Sequence, residues 1–405
     1  MSRKVVAIVG TLDTKGAEFA YLKARIEAAG AATLTIDVGI LADPAFPPDV
    51  MAADVAGAAG ADLAALRARH DRGEAMATMA RGVADVVAGL HAGGRIDGIV
   101  SMGGGGGTAV ATAAMRVLPV GVPKLMLSTL AAGDVRPYVG ASDVTMMPSV
   151  VDIAGINRFS ARIIANAAGA IAGMVGAEPP EHAGDRPLIA ATMFGVTTPC
   201  VTTARQILEG AGYEVLVFHA TGTGGRSMEA LIRGGFIAGV LDVTTTELAD
   251  ELVGGVLSAG PNRLEAAGEM GVPQVVSVGA LDMVNFGERA SVPARFAGRT
   301  FYEHNPQVTL MRTTAEENAA LGRIIAEKLS RAQGPTVLML PERGVSLIDV
   351  VGNPFHDPKA DAALFAALRG GISANVELVT LDTDINDEAF AQAAAERLLA
   401  KLRVA

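Results

Sequence analysis

Residues 98–108 read GIVSMGGGGGT: an apolar run, five consecutive glycines, and a threonine that opens a helical pattern. The apolar run predicts a buried strand, and the glycines predict a turn in which the backbone can approach a ligand closely. The same order of strand, polar or glycine-rich loop and helix recurs along the chain, beginning with the apolar residues 5–10. This order is typical of parallel sheets with helices on both faces, so the sequence predicts the α/β class.

The composition excludes several classes of protein. Half of the 405 residues are hydrophobic and the formal net charge is −10, which argues against disorder and, without basic runs, against a nucleic-acid partner. A single cysteine excludes a disulfide framework. The uncharged residues 98–115 are about as long as a short membrane span, but the glycines divide them into a strand and a helix start. We therefore expect a cytoplasmic protein with no membrane partner.

A boundary between two domains is predicted near the middle of the chain. Residues 178–185 read EPPEHAGD, a mixture of proline, glycine and charge typical of a linker. We expect two doubly wound, mostly parallel Rossmann-like domains, residues 1–180 and 185–405, with residues 308–311 among the strands of the second. Similar segments occur in the same order in both halves, which favours an internal duplication. The alternative is that any two doubly wound sheets share such turns.

The loops of the first half predict an anion site. The N–H groups of a glycine turn and the start of the following helix suit a phosphate, although the pattern is neither a P-loop nor the spaced dinucleotide fingerprint. A tight turn without a ligand is the alternative. Residues 10–16 read GTLDTKG and offer hydroxyls, a carboxylate and an ammonium, the groups expected around a triphosphate and its Mg²⁺. Lys15 could equally be a solvated surface charge.

The second half offers candidate catalytic residues. Cys200 follows a proline at a predicted helix start, where a thiol would have a lowered pKa and act as a nucleophile; the alternative is a small buried side chain. His219 opens a second glycine-rich loop, residues 219–225. We interpret its side chain either as an acid/base group or as a structural histidine. Asp242 and Glu247 follow the next strand. The chain has no HExxH or GxSxG motif, so zinc chemistry and a serine-hydrolase elbow are not expected.

Taken together, these loops resemble the Tm-one-like ATP-binding family, the bacterial relatives of the N-terminal region of the tomato mosaic virus resistance protein. The resemblance rests on residues 10–15, 103–107 and 128–134, and in the second half on residues 198–201, 219–225, 262–267 and 353–358. It implies an N-terminal domain that binds ATP with a divalent cation, and a tendency to dimerise. The implied nucleotide contacts are Thr11, Asp13, Thr14, Lys15, Gly103, Gly104, Gly105, Gly106, Gly107, Thr108, Ser128, Thr129 and Asp143, with the metal ligands unassigned.

Three functions follow as hypotheses. The first is a Mg-ATP-dependent transferase, ligase or hydrolase acting on a small carboxylate or acyl substrate, with His219, Cys200, Asp242 and Glu247 facing the nucleotide. The second is an ATP-responsive binding or regulatory module without turnover. The third is a nucleotide-independent hydrolase or lyase. In each, we expect a homodimer or higher homo-oligomer.

Overall fold

The computed structural model describes residues 3–178 and 186–403, which belong to two compact units, Met1–Glu181 and His182–Ala405. Apart from its first residue, the predicted linker 178–185 lies outside the described residues. Each unit is built around a parallel sheet flanked by helices, and the predicted fold class is confirmed.

The first unit has a five-stranded parallel sheet of order β2-β1-β3-β4-β5. The chain leaves β1 towards β2 on one side and returns to β3 on the other, so the topological switch point lies between β1 and β3. The strands are β1 Val5–Gly10, β2 Ala32–Asp37, β3 Gly98–Gly103, β4 Lys124–Ser128 and β5 Thr145–Pro148. The helices are α1 Gly16–Ala28, α2 Ala52–Ala58, α3 Leu63–Arg69, α4 Arg72–Ala92, α5 Gly105–Arg116, α6 Arg136–Val139 and α7 Arg158–Gly176.

The inner strands β1, β3 and β4 of this sheet are buried on both faces, as their continuous apolar runs predict. Ala7 and Val9 of β1 pack with α2, α4 and α5 on one face, whereas Val6 and Ile8 pack with α1 and α7 on the other. Within the described ranges, α7 is the one helix long and apolar enough to cross a membrane by length and composition. It is accounted for as a sheet-covering helix, because its inner face lies in the core cluster of Val6 and Ile8.

The second unit has a six-stranded parallel sheet of order β14-β13-β9-β8-β6-β7 and a small antiparallel sheet of order β10-β12-β11. The strands are β6 Leu188–Met193, β7 Glu214–His219, β8 Ile237–Thr244, β9 Gln274–Gly279, β10 Met283–Phe286, β11 Phe301–Asn305, β12 Val308–Arg312, β13 Thr336–Pro341 and β14 Val376–Leu381. The helices are α8 Thr198–Gly210, α9 Thr223–Arg233, α10 Glu247–Val253, α11 Ala266–Glu269, α12 Ala315–Ser330, α13 Pro358–Gly371 and α14 Glu388–Leu402.

One strand assignment needs correction. Residues 308–311 do form a strand, but β12 pairs antiparallel with β10 and β11 and does not extend the parallel sheet. An apolar run shows that a strand is buried and does not show its direction.

The two parallel sheets share one strand order. When the strands are numbered within each parallel sheet, both orders read 2-1-3-4-5, and the second sheet adds a sixth strand at the far edge. A duplication would produce this agreement, but it is also a common order of doubly wound sheets. The duplication therefore stays a prediction.

Candidate functional site

A cavity of about 490 Å³ lies at the switch point of the first sheet. Its walls include the loop after β1, residues 10–15 except Leu12, and the turn after β3, residues 103–107, which we call the glycine turn. Ligands of open α/β sheets bind at this position, beyond the carboxyl ends of the strands. The structure therefore brings together nine of the predicted site residues: Thr11, Asp13, Thr14, Lys15, Gly103, Gly104, Gly105, Gly106 and Gly107.

The glycine turn presents backbone donors to this cavity. Helix α5 begins at Gly105 with Gly104 as its N-cap, and no side chain caps it. In the described part of the chain, no carbonyl or side chain accepts from the N–H groups of residues 105–107. A Cβ on Gly103 would lie 3.2 Å from the Cα of Gly107, so a side chain there would push the turn apart by a few tenths of an ångström. Free amides at a helix start carry partial positive charge and suit an anion.

The loop after β1 adds an ammonium and a carboxylate. The Lys15 Nζ donates to the carbonyl of Ile153, which holds the ammonium at the cavity wall. The Asp13 Oδ2 accepts from the N–H of Leu41 at 2.8 Å, whereas its Oδ1 is buried without a hydrogen-bond partner among the described residues. The hydroxyls of Thr11 and Thr14 lie 3.0 Å apart. Carboxylate and hydroxyl oxygens are groups that bind Mg²⁺.

Three predicted contacts lie behind or beside the glycine turn and do not line the cavity. The hydroxyls of Thr108 and Ser128 are 2.7 Å apart, and Thr108 also donates to the carbonyl of Gly104 at 2.8 Å. Both side chains are fully buried, so the direct nucleotide contact predicted for them does not fit this geometry. The N–H of Thr129 donates to the carbonyl of Gly103. These residues stabilise the turn from behind.

Asp143 is also placed differently from the prediction. Its Oδ1 accepts from the Nζ of the fully buried Lys124 at 2.6 Å, and its Oδ2 accepts from the N–H of Gly121. Burial lowers the pKa of Lys124, and the contact with Asp143 opposes that shift. Asp143 is therefore a structural counter-ion and does not line the cavity.

The sequence analysis missed the third wall of the cavity. Arg72 and Met76 of α4 reach the glycine turn, and Asp152 lines the site from the loop before α7. Residues 40–76 show no clear helical period, although α4 begins within them at Arg72. The spacing of Asp71 and Glu74 could have signalled the start of α4, because the Asp71 carboxylate accepts from the Glu74 N–H at 2.9 Å. Apolar side chains complete the wall: Val38, Ile40, Leu66, Met79 and Val110.

In the second unit, the expected reactivity of Cys200 is wrong. Its side chain is fully buried in a core cluster with Val201 and Leu208. Burial, together with the nearby carboxylate of Asp384, raises the pKa of the Cys200 thiol to about 12. The alternative, a small buried side chain, matches the structure.

Asp242 and Glu247 are held in a buried ion-pair network. The Arg263 Nε donates to Glu247 at 2.6 Å, and its two terminal nitrogens donate to Asp242 at 2.5 and 2.7 Å. All three side chains are buried, and Glu229 lies 3.6 Å from the same guanidinium. Sequence reasoning placed Arg263 in a family motif, residues 262–267, but assigned it no role. Both carboxylates are thus engaged by Arg263 and buried away from solvent.

The second glycine-rich loop is closed by the same network. The Glu247 Oε1 accepts from the N–H groups of Gly222 at 2.6 Å and Gly225 at 3.0 Å, at the start of α9. His219, at the end of the edge strand β7, is exposed. The four predicted catalytic residues thus do not form one cleft within the second unit.

A second buried charge cluster lies beyond the carboxyl ends of β9 and β13. Arg312 donates to Asp349 at 3.1 Å and to Asp361 at 2.6 Å, and the fully buried Asp282 accepts from the Ser346 hydroxyl at 2.8 Å. Burial raises the pKa of Asp282 to about 6 and, with repulsion from Asp282 and Asp361, that of Asp349 to about 9. Three carboxyls share one guanidinium, so they cannot all ionise at low cost.

These features define an α/β protein of two units. In the first unit, a glycine turn with a geometry that suits an anion lines a cavity at the switch point of the sheet. The chain belongs to the uncharacterised protein family UPF0261: the N-terminal domain of that family matches residues 4–180 and its C-terminal domain matches residues 186–402. The predicted resemblance is confirmed at the level of this family.

Two relatives show how far the similarity extends. The chain is 54% identical to a UPF0261 protein of Clostridium tetani, over 98% of this chain and 99% of that protein. It is 45% identical to the ToMV resistance protein Tm-1(GCR237) of Solanum lycopersicum, over 81% of this chain and 44% of the plant protein.

A solved structure, the putative UDP-N-acetylglucosamine 2-epimerase from Listeria monocytogenes, aligns at 12% identity with a TM-score of 0.25. That alignment covers 68% of this chain and 79% of the other. A similarity of this size carries no argument about function.

Proposed function

We propose that the first unit binds a nucleoside polyphosphate, ATP with Mg²⁺. The observation that carries this proposal is the convergence of the free amides of residues 105–107 and the Lys15 ammonium on one cavity. Oriented amides at a helix N-terminus together with a lysine are a recurrent way of binding the phosphates of a nucleotide. The apolar wall, which includes Leu66, Met79 and Val110, suits the nucleoside end of such a ligand.

The cation would be held jointly by protein and ligand. Within the described residues, no group of three or more His, Cys, Asp or Glu side chains could hold a metal. Mg²⁺ commonly binds through one or two carboxylates, waters and substrate phosphates, so a complete protein cage is not needed. Asp13, with a buried oxygen that has no partner, fits this role, and Asp152 lines the same cavity. Bound Mg²⁺ would neutralise phosphate charge beside these carboxylates.

Turnover of ATP on a small carboxylate or acyl substrate remains the first hypothesis for activity. Of its four predicted catalytic residues, only His219 is exposed, because Cys200, Asp242 and Glu247 are buried. That burial favours the second hypothesis, an ATP-responsive binding or regulatory module in which the nucleotide sets a conformation or an assembly. A homodimer or higher homo-oligomer and a cytoplasmic location are further parts of the proposal.

Calorimetric titration of Mg-ATP into the full chain tests the binding proposal. We expect the wild-type protein to bind and Lys15→Ala to lose at least tenfold in affinity, since a charged hydrogen bond contributes about 1.5–3 kcal/mol. Lys359→Ala removes an exposed lysine of the second unit and is expected to bind as the wild type does. Absence of binding by the wild-type protein at millimolar ATP would refute the proposal.

Two further measurements separate the two kinds of activity. Phosphate release from ATP that depends on an added metabolite extract would support the enzyme. Light scattering that changes with ATP, without any release of phosphate, would support the module.

A further inference from the structure

We propose that Arg72 is a second cation of this site and selects nucleoside di- and triphosphates over monophosphates. The inference rests on the proposed function and adds a specificity residue to it. Arg72 is the first residue of α4 and was not among the residues that the sequence analysis selected.

The position of Arg72 relative to the glycine turn carries the proposal. A Cβ built on Gly106 would lie 3.6 Å from the Arg72 Nη2 and 3.0 Å from the Cε of Met76. Arg72 and Met76 are four residues apart on α4, so one face of that helix covers the turn. A phosphate bound by the amides of residues 105–107 would therefore lie within reach of the Arg72 guanidinium.

The bonding of the other cations on the cavity wall singles out Arg72. Lys15 donates to the carbonyl of Ile153, and Arg67 donates to the carbonyls of Ile40 and Ala42. For Arg72, the side chain has no hydrogen bond or ion pair with any residue in the ranges 3–178 and 186–403. Its donors are thus available to a ligand without the loss of an internal contact.

Arg72 is also placed by a fixed backbone. Asp71 caps α4 through the Glu74 N–H, and His70 adopts a left-handed conformation with φ of 54° just before this cap. The start of the helix, and with it the root of the Arg72 side chain, is defined before any ligand arrives. A planar guanidinium then offers paired donors that match two phosphate oxygens.

The charges on the cavity wall explain why Arg72 would favour a polyphosphate over a monophosphate. Lys15, Arg67 and Arg72 are balanced on the cavity wall by Asp13, Asp71 and Asp152. One phosphate can be satisfied by the helix N-terminus and Lys15, whereas a further phosphate needs a further donor, which Arg72 supplies.

Calorimetric titrations of AMP, ADP and ATP, each with Mg²⁺, into the full chain test this inference. The variants are Arg72→Ala, Arg72→Lys and, as the matched control, Arg95→Ala, which removes an exposed arginine that precedes β3 in the same unit. We expect Arg72→Ala to weaken ATP and ADP binding at least tenfold and AMP binding less than threefold. Arg72→Lys should recover only part of the loss, and Arg95→Ala should match the wild type.

The outcomes distinguish failure of the Arg72 inference from failure of the proposed function. If the wild-type protein binds none of the three nucleotides, the proposed function fails. If the wild type binds ATP and Arg72→Ala binds it equally well, or if AMP and ATP weaken by the same factor, the inference alone is overturned. Circular dichroism of each variant establishes that the surface change has left the fold intact.

Discussion

Single residues show how burial changes the chemistry of a carboxyl group in this protein. Asp282 is fully buried, and while its Oδ2 accepts from Ser346, its Oδ1 has no partner in residues 3–178 and 186–403. Burial raises its pKa from 3.8 to about 6, with Arg312 opposing the shift and Asp361 adding to it. The native state therefore binds a proton at Asp282 under conditions in which the unfolded chain has released it.

This shift predicts a pH-dependent stability. The contribution of Asp282 to the free energy of unfolding is complete below about pH 4 and is lost as the pH rises through about 6. Asp282→Asn keeps the shape and an acceptor for Ser346 but cannot ionise. We expect the free energy of unfolding of this variant to rise relative to wild type by about 1.4 kcal/mol between pH 5 and pH 7.5. Urea titrations at both pH values would measure this change, and a difference that stays constant with pH would contradict it.

The limits of sequence reasoning are clearest at individual polar residues. Asp242 lies near the carboxyl end of β8 and Glu247 begins α10, close to the edge of the sheet where α/β proteins bind ligands. Their partner Arg263 is about twenty residues away in the chain, and only the folded packing shows that it neutralises them. Burial of Cys200 depends in the same way on neighbours distant in sequence, such as Phe390 and Ala394.

At the scale of elements, the two glycine-rich turns differ in what satisfies their backbone donors. The turn before α5 leaves the amides of residues 105–107 without an acceptor in the described chain, at the wall of a cavity. The start of α9 is bound by the Glu247 carboxylate, which Arg263 holds in place. Similar sequences thus leave these amides without an acceptor in the described part of the first unit and bond them to a carboxylate in the second.

Removing Arg263 should destabilise the second unit. Arg263→Met leaves Asp242 and Glu247 buried without their counter-ion, and losing one partner of a buried ion pair costs about 3–5 kcal/mol. The control is Arg205→Met, which removes an exposed ion pair with Glu209 and should cost less than about 1 kcal/mol. Urea unfolding followed by circular dichroism measures both, and equal losses in the two variants would contradict the buried-network interpretation.

Elements with continuous apolar runs were predicted well, because a parallel strand buried on both faces requires such a run. Strand β1 was predicted with its observed bounds, Val5–Gly10. Helix α4 was missed because the residues before it vary without a clear period. The antiparallel sheet was missed because pairing direction depends on contacts that a local pattern does not contain.

At the scale of the whole molecule, each unit has its own hydrophobic core. Two large clusters in the first unit surround the five-stranded sheet, and the clusters of the second unit surround its own sheets. The two domains of the family match the same division of the chain. A unit that buries its own sheet on both faces has the elements of an independent fold.

We therefore expect residues 1–181, expressed alone, to fold and to bind Mg-ATP within about threefold of the affinity of the full chain, because the cavity is lined by residues of this unit. Circular dichroism and calorimetry would measure folding and binding. Residues 182–405 serve as the control and should not bind. A folded first unit that binds nothing, beside a full chain that binds ATP, would contradict the assignment of the site to this unit.

The carboxylate of Glu247 affects how many nucleotides one polypeptide is expected to bind. It places a negative charge of the chain itself on the amides at the start of α9, so a phosphate approaching that turn would meet repulsion and would have to displace a side chain fixed by Arg263. Although the chain carries two glycine-rich loops in two similarly ordered sheets, saturating it should take one equivalent of nucleotide per polypeptide, and not two.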